Sequence, residues 1–201
     1  MTSQNAPPQH FTTHHMNTVL SPSSEEPKAT TTLDVLHPLL HPSSPLCYDF
    51  LLSVDHPQQK QNLLHSVRFP IRPFPFNAPA FPHNTSITKI SLSIEKTSWL
   101  ITVMPASNQF YITIQAVLST AQSFLSQPIT DVTWNVASPE ARSVAEKSCA
   151  KRGGSVKRRI DWLGGKTKFG GLEPGMGRTE IIAKKAGPSS DGGQIWFLRL
   201  V

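Results

Sequence analysis

In residues 87–94 the apolar positions Ile90, Leu92 and Ile94 alternate with Lys89, Ser91 and Ser93, the period-two pattern of a strand with one buried face. Residues 99–104 (Trp-Leu-Ile-Thr-Val-Met) have strand composition after a short turn at 95–98, so the pair predicts a β-hairpin. The period then changes. Thr113 stands as a cap before Ile114, Val117, Leu118, Ala121, Phe124 and Leu125, which recur on one face of a helix that should stop by Pro128. A second helix opens at Ser138-Pro139-Glu140, with a capping hydroxyl, a proline in the first turn and an acid near the positive end of the dipole. Its face is Ala141, Val144, Ala145 and Cys149, and Gly153-Gly154 should end it. Residues 194–201 close the chain as a strand, and residues 46–52 are a shorter candidate.

Outside these elements the pattern dissolves. Residues 1–32 are mostly Thr, Ser, Pro, Gln, Asn and His, too poor in apolar groups to repay the entropy of ordering them. A disordered tail is expected there, with the first core contacts at residues 33–40. Residues 69–82 (FPIRPFPFNAPAFP) carry a proline at every second to fourth position, which removes ladder donors and favours extended structure. An extended strap with its phenylalanines tucked into the domain is the expectation. The architecture predicted is therefore α+β: residues 33–201 form one domain, a small antiparallel sheet packed against two helices, behind a disordered N-terminal tail.

Composition sharpens the divisions. All 8 histidines lie at or before His83 and all 11 glycines at or after Gly153. Residues 138–201 carry a net charge of +7, against −1 for residues 1–137, so residues 151–193 form a basic, Gly-rich loop region. Cys47 and Cys149 have neither CxxC spacing nor the density of a disulfide scaffold, which suits a reducing compartment. No basic-then-apolar leader and no run of about 18 apolar residues occurs. An intracellular protein, cytoplasmic or nuclear and not in a membrane, is expected, and the Asn84-Thr85-Ser86 sequon is read as chance.

The order of several short pieces resembles a known family. They are His37-Pro38-Leu39-Leu40, Tyr48-Asp49, Pro79-Ala80-Phe81-Pro82, residues 99–103, and residues 112–118 at the helix entry. Arg159-Ile160-Asp161-Trp162-Leu163 and Phe169-Gly170-Gly171-Leu172 complete the set. Together they resemble the fungal domain of unknown function 6699, found in basidiomycetes, over about residues 33–201. The resemblance implies a fold and a fungal source, and it implies no reaction.

Candidate chemistry is sparse. Gly164-Gly165-Lys166-Thr167 invites comparison with a phosphate-binding P-loop, but Ile160 stands where the motif needs its first glycine, and no helix pattern follows. A tight loop whose glycines take positive φ, anchored by Trp162, Leu163, Phe169 and Leu172, accounts for it better. His37 and His41 have the i, i+4 spacing of two ligands on one helix face, yet prolines follow both and no third ligand is identifiable. They are read as capping or solvent-facing residues, and His14-His15 likewise. There is no GxSxG elbow and no cysteine-protease signature. Arg72-Pro73-Phe74-Pro75 gives half of an RxxPxxP adaptor ligand, with the second proline one position late.

The strongest functional candidate is the run Lys151, Arg152, Lys157, Arg158 and Arg159, five cations in nine residues with Gly153 and Gly154 between them. If all five met phosphates, log K against log salt would fall with a slope of roughly −4 to −5. Lys166, Lys168, Lys184 and Lys185 would extend the patch. A solvated surface between a helix end and a strand explains the same residues, and no aromatic residue interleaves the run. Three readings follow. The first is a non-enzymatic interaction domain with an unknown protein partner, and the second a weak nucleic-acid or polyanion binder through residues 151–159. The third is an enzyme assembled from Tyr48, Asp49, Arg159 and Asp161. No catalytic, cofactor-binding or metal-binding residue is assigned.

Overall fold

The computed structural model describes residues 36–66, 75–95, 97–175 and 194–201, all within one compact unit, Thr31–Val201. Four strands form its sheet: β1 (Ile90–Ile94), β2 (Leu100–Val103), β3 (Phe169–Pro174) and β4 (Gln194–Leu200), in the order β2-β1-β4-β3. β1 and β2 pair antiparallel, as the hairpin pattern predicts, and Ile90, Leu92, Ile94, Ile101 and Val103 all point into the core. Ser93, expected on the polar face, is buried too. The reason is position, because β1 is a central strand flanked by β2 and β4.

The class is α+β, but the sheet is mixed rather than antiparallel throughout. β1 and β4 run parallel, with Leu92 opposite Trp196, while β3 and β4 are antiparallel. Parallel neighbours need a long crossover, and three α-helices, between residues 114 and 151, lie between these two strands in the chain. β3 itself was expected as loop. Its Gly170-Gly171 pair sits in a register shift between Phe169 and Leu172. Gly171 takes φ 107°, and a Cβ there would collide with the backbone of His41 and Pro42, so only glycine fits. The expected strand at 46–52 shrinks to one bridge, Asp49 to Lys168, secured by Phe50 N to Thr167 O (2.8 Å) and Phe169 N to Tyr48 O (2.8 Å).

Four α-helices occur among the described residues rather than two: α1 (Pro57–Ser66), α2 (Ile114–Ser126), α3 (Asp131–Asn135) and α4 (Pro139–Lys151). α2 follows its pattern closely. Thr113 Oγ1 accepts from Ala116 N, Ile114, Val117, Leu118, Ala121 and Leu125 are buried, and the helix stops two residues before Pro128. In α4 Ser138 caps and Pro139 leads. Ala145 and Cys149 are buried, but Val144, assigned to the inner face, is exposed. α1 docks through polar groups, since buried Gln59 Oε1 accepts from Asp49 N and Ser66 Oγ from Cys47 N. Within the strap, residues 69–74 lie outside the described residues. Residues 75–82 do lie across the domain, with Ala80 N to Ile112 O and Ile114 N to Ala78 O, and with Phe81 buried against Trp196. The expected tail at 1–32 also falls outside the described residues.

Tyr48 is fully buried between these layers and donates to Gln122 Oε1 (2.8 Å), while Gln122 Nε2 donates to the carbonyls of Phe50 and Leu52. Burial pushes the Tyr48 phenol up to about 12. The folded chain therefore keeps a proton that the unfolded chain releases near pH 10, and stability falls as pH rises through that window. Tyr48→Phe strands the Gln122 carbonyl and should cost about 1–3 kcal/mol at neutral pH. The gap to wild type should narrow between pH 10 and 12, as read by urea unfolding at stepped pH.

Candidate functional site

The basic segment is a folded turn built around one carboxylate. α4 ends in a glycine stop: Gly153 takes φ 70°, its N–H reaches Ala150 O (2.9 Å), and Gly154 N reaches Cys149 O (3.1 Å), the paired bonds that close a helix C-terminus. Arg152 then turns inward. Its Nε donates to Asp161 Oδ1 (3.0 Å) and its Nη2 to Asp161 Oδ2 (2.7 Å), with a further bond from Nη2 to Val156 O (2.9 Å). Arg158 N supplies a third donor to Oδ2 (2.8 Å). The Asp161 side chain is 3% exposed and that of Arg152 17%. Hydrogen bonding to Asp161 holds the guanidinium above its ordinary value, against the effect of burial. Gly154 leaves room for that guanidinium, whose terminal atoms a Cβ would meet. The close approach that Gly153-Gly154 offered to a phosphate is thus partly used by the protein's own arginine.

Two other cations of the run, Lys157 and Arg159, lie over aromatic rings, as does Arg142 outside it. Lys157 Nζ sits 4.3 Å from the Trp134 ring centre and 3.7 Å from Glu146 Oε1. Arg159 Cζ lies 4.0 Å from the Phe124 ring centre, and Arg142 Cζ lies 5.9 Å from that of Trp134. The rings themselves form a row of edge contacts, Phe124 to Trp99 (5.8 Å), Trp99 to Trp162 (6.4 Å) and Trp162 to Trp134 (6.0 Å). All four are half-buried. Sequence reasoning found no aromatic interleaved with the cations, and along the chain there is none. Folding brings them from four separate segments, two of them α2 and α3 and a third the 3-10 turn Arg159–Leu163. Beside Trp134, Val132 (76%) and Val136 (81%) are exposed one turn apart.

The remaining candidates take structural places. His37 Nδ1 accepts from Leu39 N at the 3-10 turn Pro38–Leu40, and the His41 ring meets Leu36 O (3.1 Å). Burial, then His41, lowers the His37 pKa. No group of three or more metal-ligating side chains occurs among the described residues. Cys47 and Cys149 are both free thiols. Gly164 and Gly165 have φ of 66° and 87°, as a tight loop requires, and β3 rather than a helix follows Thr167. Tyr48, Asp49, Arg159 and Asp161 do not assemble. Tyr48 bonds Gln122, Asp49 Oδ1 accepts from Leu51 N, Arg159 lies on Phe124, and Asp161 pairs with Arg152. A cavity lined by Asp161 includes neither Tyr48, Asp49 nor Arg159. Lys184, Lys185, His14, His15 and Arg72 lie outside the described residues.

Breaking a buried pair leaves an uncompensated charge and costs about 3–5 kcal/mol, whereas replacing both partners by apolar groups is far milder. Arg152→Ala should accordingly lose about 3 kcal/mol or more in urea unfolding, with Arg152→Lys a poor rescue because an ammonium cannot reproduce the fork. The double variant Arg152→Met with Asp161→Leu should recover part of that loss, the remainder reflecting the Arg158 amide left without its acceptor.

No curated protein and no solved structure matches the chain. Residues 46–180 do match a family model, described as a family of unknown function, DUF6699. That span is two-thirds of the chain and holds α1 to α4, the Asp161 turn and the aromatic row. The chain belongs to the family of unknown function DUF6699.

Proposed function

We propose that the domain is a non-enzymatic interaction module whose contact face is the aromatic row with its cations, and that its partner is an acidic protein segment. One observation carries the reading: Lys157, Arg159 and Arg142 stand over half-buried rings beside exposed Val132 and Val136. Trp and Arg in partly desolvated positions are the residue types that dominate protein interfaces. The Trp134 and Phe124 faces carry cations, which argues against bases stacking on those two rings. Among the described residues Glu146 is the one acid paired with these cations, so complementarity favours a negative partner. A fungal intracellular setting, cytoplasmic or nuclear, belongs to the same proposal.

Polyanion binding is the second reading, favoured by the charge of the turn. With Arg152 committed to Asp161, the cations left are Lys151, Lys157, Arg158 and Arg159, and the salt slope would be no steeper than roughly −3 to −4. Affinity capture with wild type and with Lys157→Glu/Arg159→Glu separates the two. An acidic partner held by wild type and lost from the folded double variant is the expected result. Capture unchanged by the variant overturns the proposal. Salt-dependent anisotropy with mixed single-stranded RNA, lost in the same variant without any protein partner, replaces it by the second reading.

A further inference from the structure

A cavity of about 230 Å³ opens between the end of α4, the Asp161 turn and the glycine loop. Leu51 and Ile160 supply apolar wall, Arg152 and Asp161 a charged one, and Ser148, Lys151, Gly165 and Thr167 complete the lining. The charges balance unevenly. Arg152 and Asp161 neutralise each other through two hydrogen bonds, which leaves Lys151 as the one uncompensated charge on the wall. Among the described residues the Lys151 ammonium has no ion pair, and neither the Ser148 nor the Thr167 hydroxyl bonds a protein group.

We infer that this cavity binds a small organic monocarboxylate, its carboxylate on Lys151 and the two hydroxyls, its short apolar part on Leu51 and Ile160. The volume lies below the roughly 300–1,000 Å³ of sites for drug-sized ligands, so the ligand is small. A cation would meet Lys151 with no free acid to offset it. A phosphate dianion would bring two charges against one, beside a carboxylate, and would leave the apolar wall unused. Gly165 and Thr167 belong to the Gly-Gly-Lys-Thr quartet, but Lys166 does not line the cavity. The cation comes instead from the last turn of α4, a lysine that the sequence assigned to a polyanion patch. None of the four rings of the aromatic row lines the cavity, and the inference does not depend on the proposed protein partner.

The test is a ¹H–¹⁵N titration of the full chain with sodium butyrate, n-butylamine hydrochloride and sodium phosphate at matched ionic strength. Butyrate should give saturable shifts with one dissociation constant at the amides of Lys151, Gly165 and Thr167, and the other two should bind at least about tenfold more weakly. Lys151→Ala should weaken butyrate by about tenfold or more, the loss of one charge-assisted hydrogen bond. Thr167→Val, nearly isosteric and with its backbone contact to Phe50 kept, should weaken it severalfold. Absence of saturable shifts, equal or tighter binding of butylamine or phosphate, or unchanged affinity in a folded Lys151→Ala would each overturn the inference.

Discussion

A carboxylate almost wholly removed from water must be surrounded by donors or give up its charge, and Asp161 meets that requirement with three. Two come from Arg152 at the end of α4 and one from the backbone of Arg158. The end of a helix, the seven residues after it (152–158) and the 3-10 turn Arg159–Leu163 are thereby fastened to one point. The Arg152 bond to Val156 O adds a fourth tie within the same loop. Such a pair is weak evidence for net stability. Its consequence here is geometric, because it fixes where the segment's other side chains can go.

From that turn, Ile160 enters the core, and Trp162 meets both Trp99 and Trp134. Lys157 and Arg159, either side of Arg158, reach Trp134 and Phe124. The five cations of the run are thus unequal. Arg152 is a structural residue, Lys157 and Arg159 belong to a mixed aromatic and charged face, Lys151 borders a cavity, and Arg158 contributes its backbone to the turn. A single electrostatic patch is too coarse a description of them.

The helices α2 and α4 and the β1-β2 hairpin were legible in the sequence because each carries a local periodic signal with a cap or turn at its edge. Thr113, Ser138-Pro139 and Gly153 all act as the pattern implies. α1 was not legible, since its buried positions include Gln59 and Ser66, whose hydrogen bonds to the backbone of residues 47–49 replace an apolar stripe. β3 was hidden by its glycines, whose place in the strand depends on the close passage of Pro42. The parallel pairing of β1 with β4 is a long-range choice with no local signature. The aromatic row failed for a similar reason: its four rings are distant in sequence, and only the fold makes Phe124, Trp99, Trp162 and Trp134 neighbours.

The central claim is that residues 152–161 form a folded turn held by the Asp161 carboxylate rather than a solvated basic loop. Native-state hydrogen exchange of the Arg158 amide, which donates to Asp161 Oδ2, reads this directly. The account predicts that Arg158 exchanges slowly, on the scale of the core amides of β1, while the neighbouring exposed Ser155 exchanges fast. Exchange of Arg158 at the rate of Ser155 would contradict it.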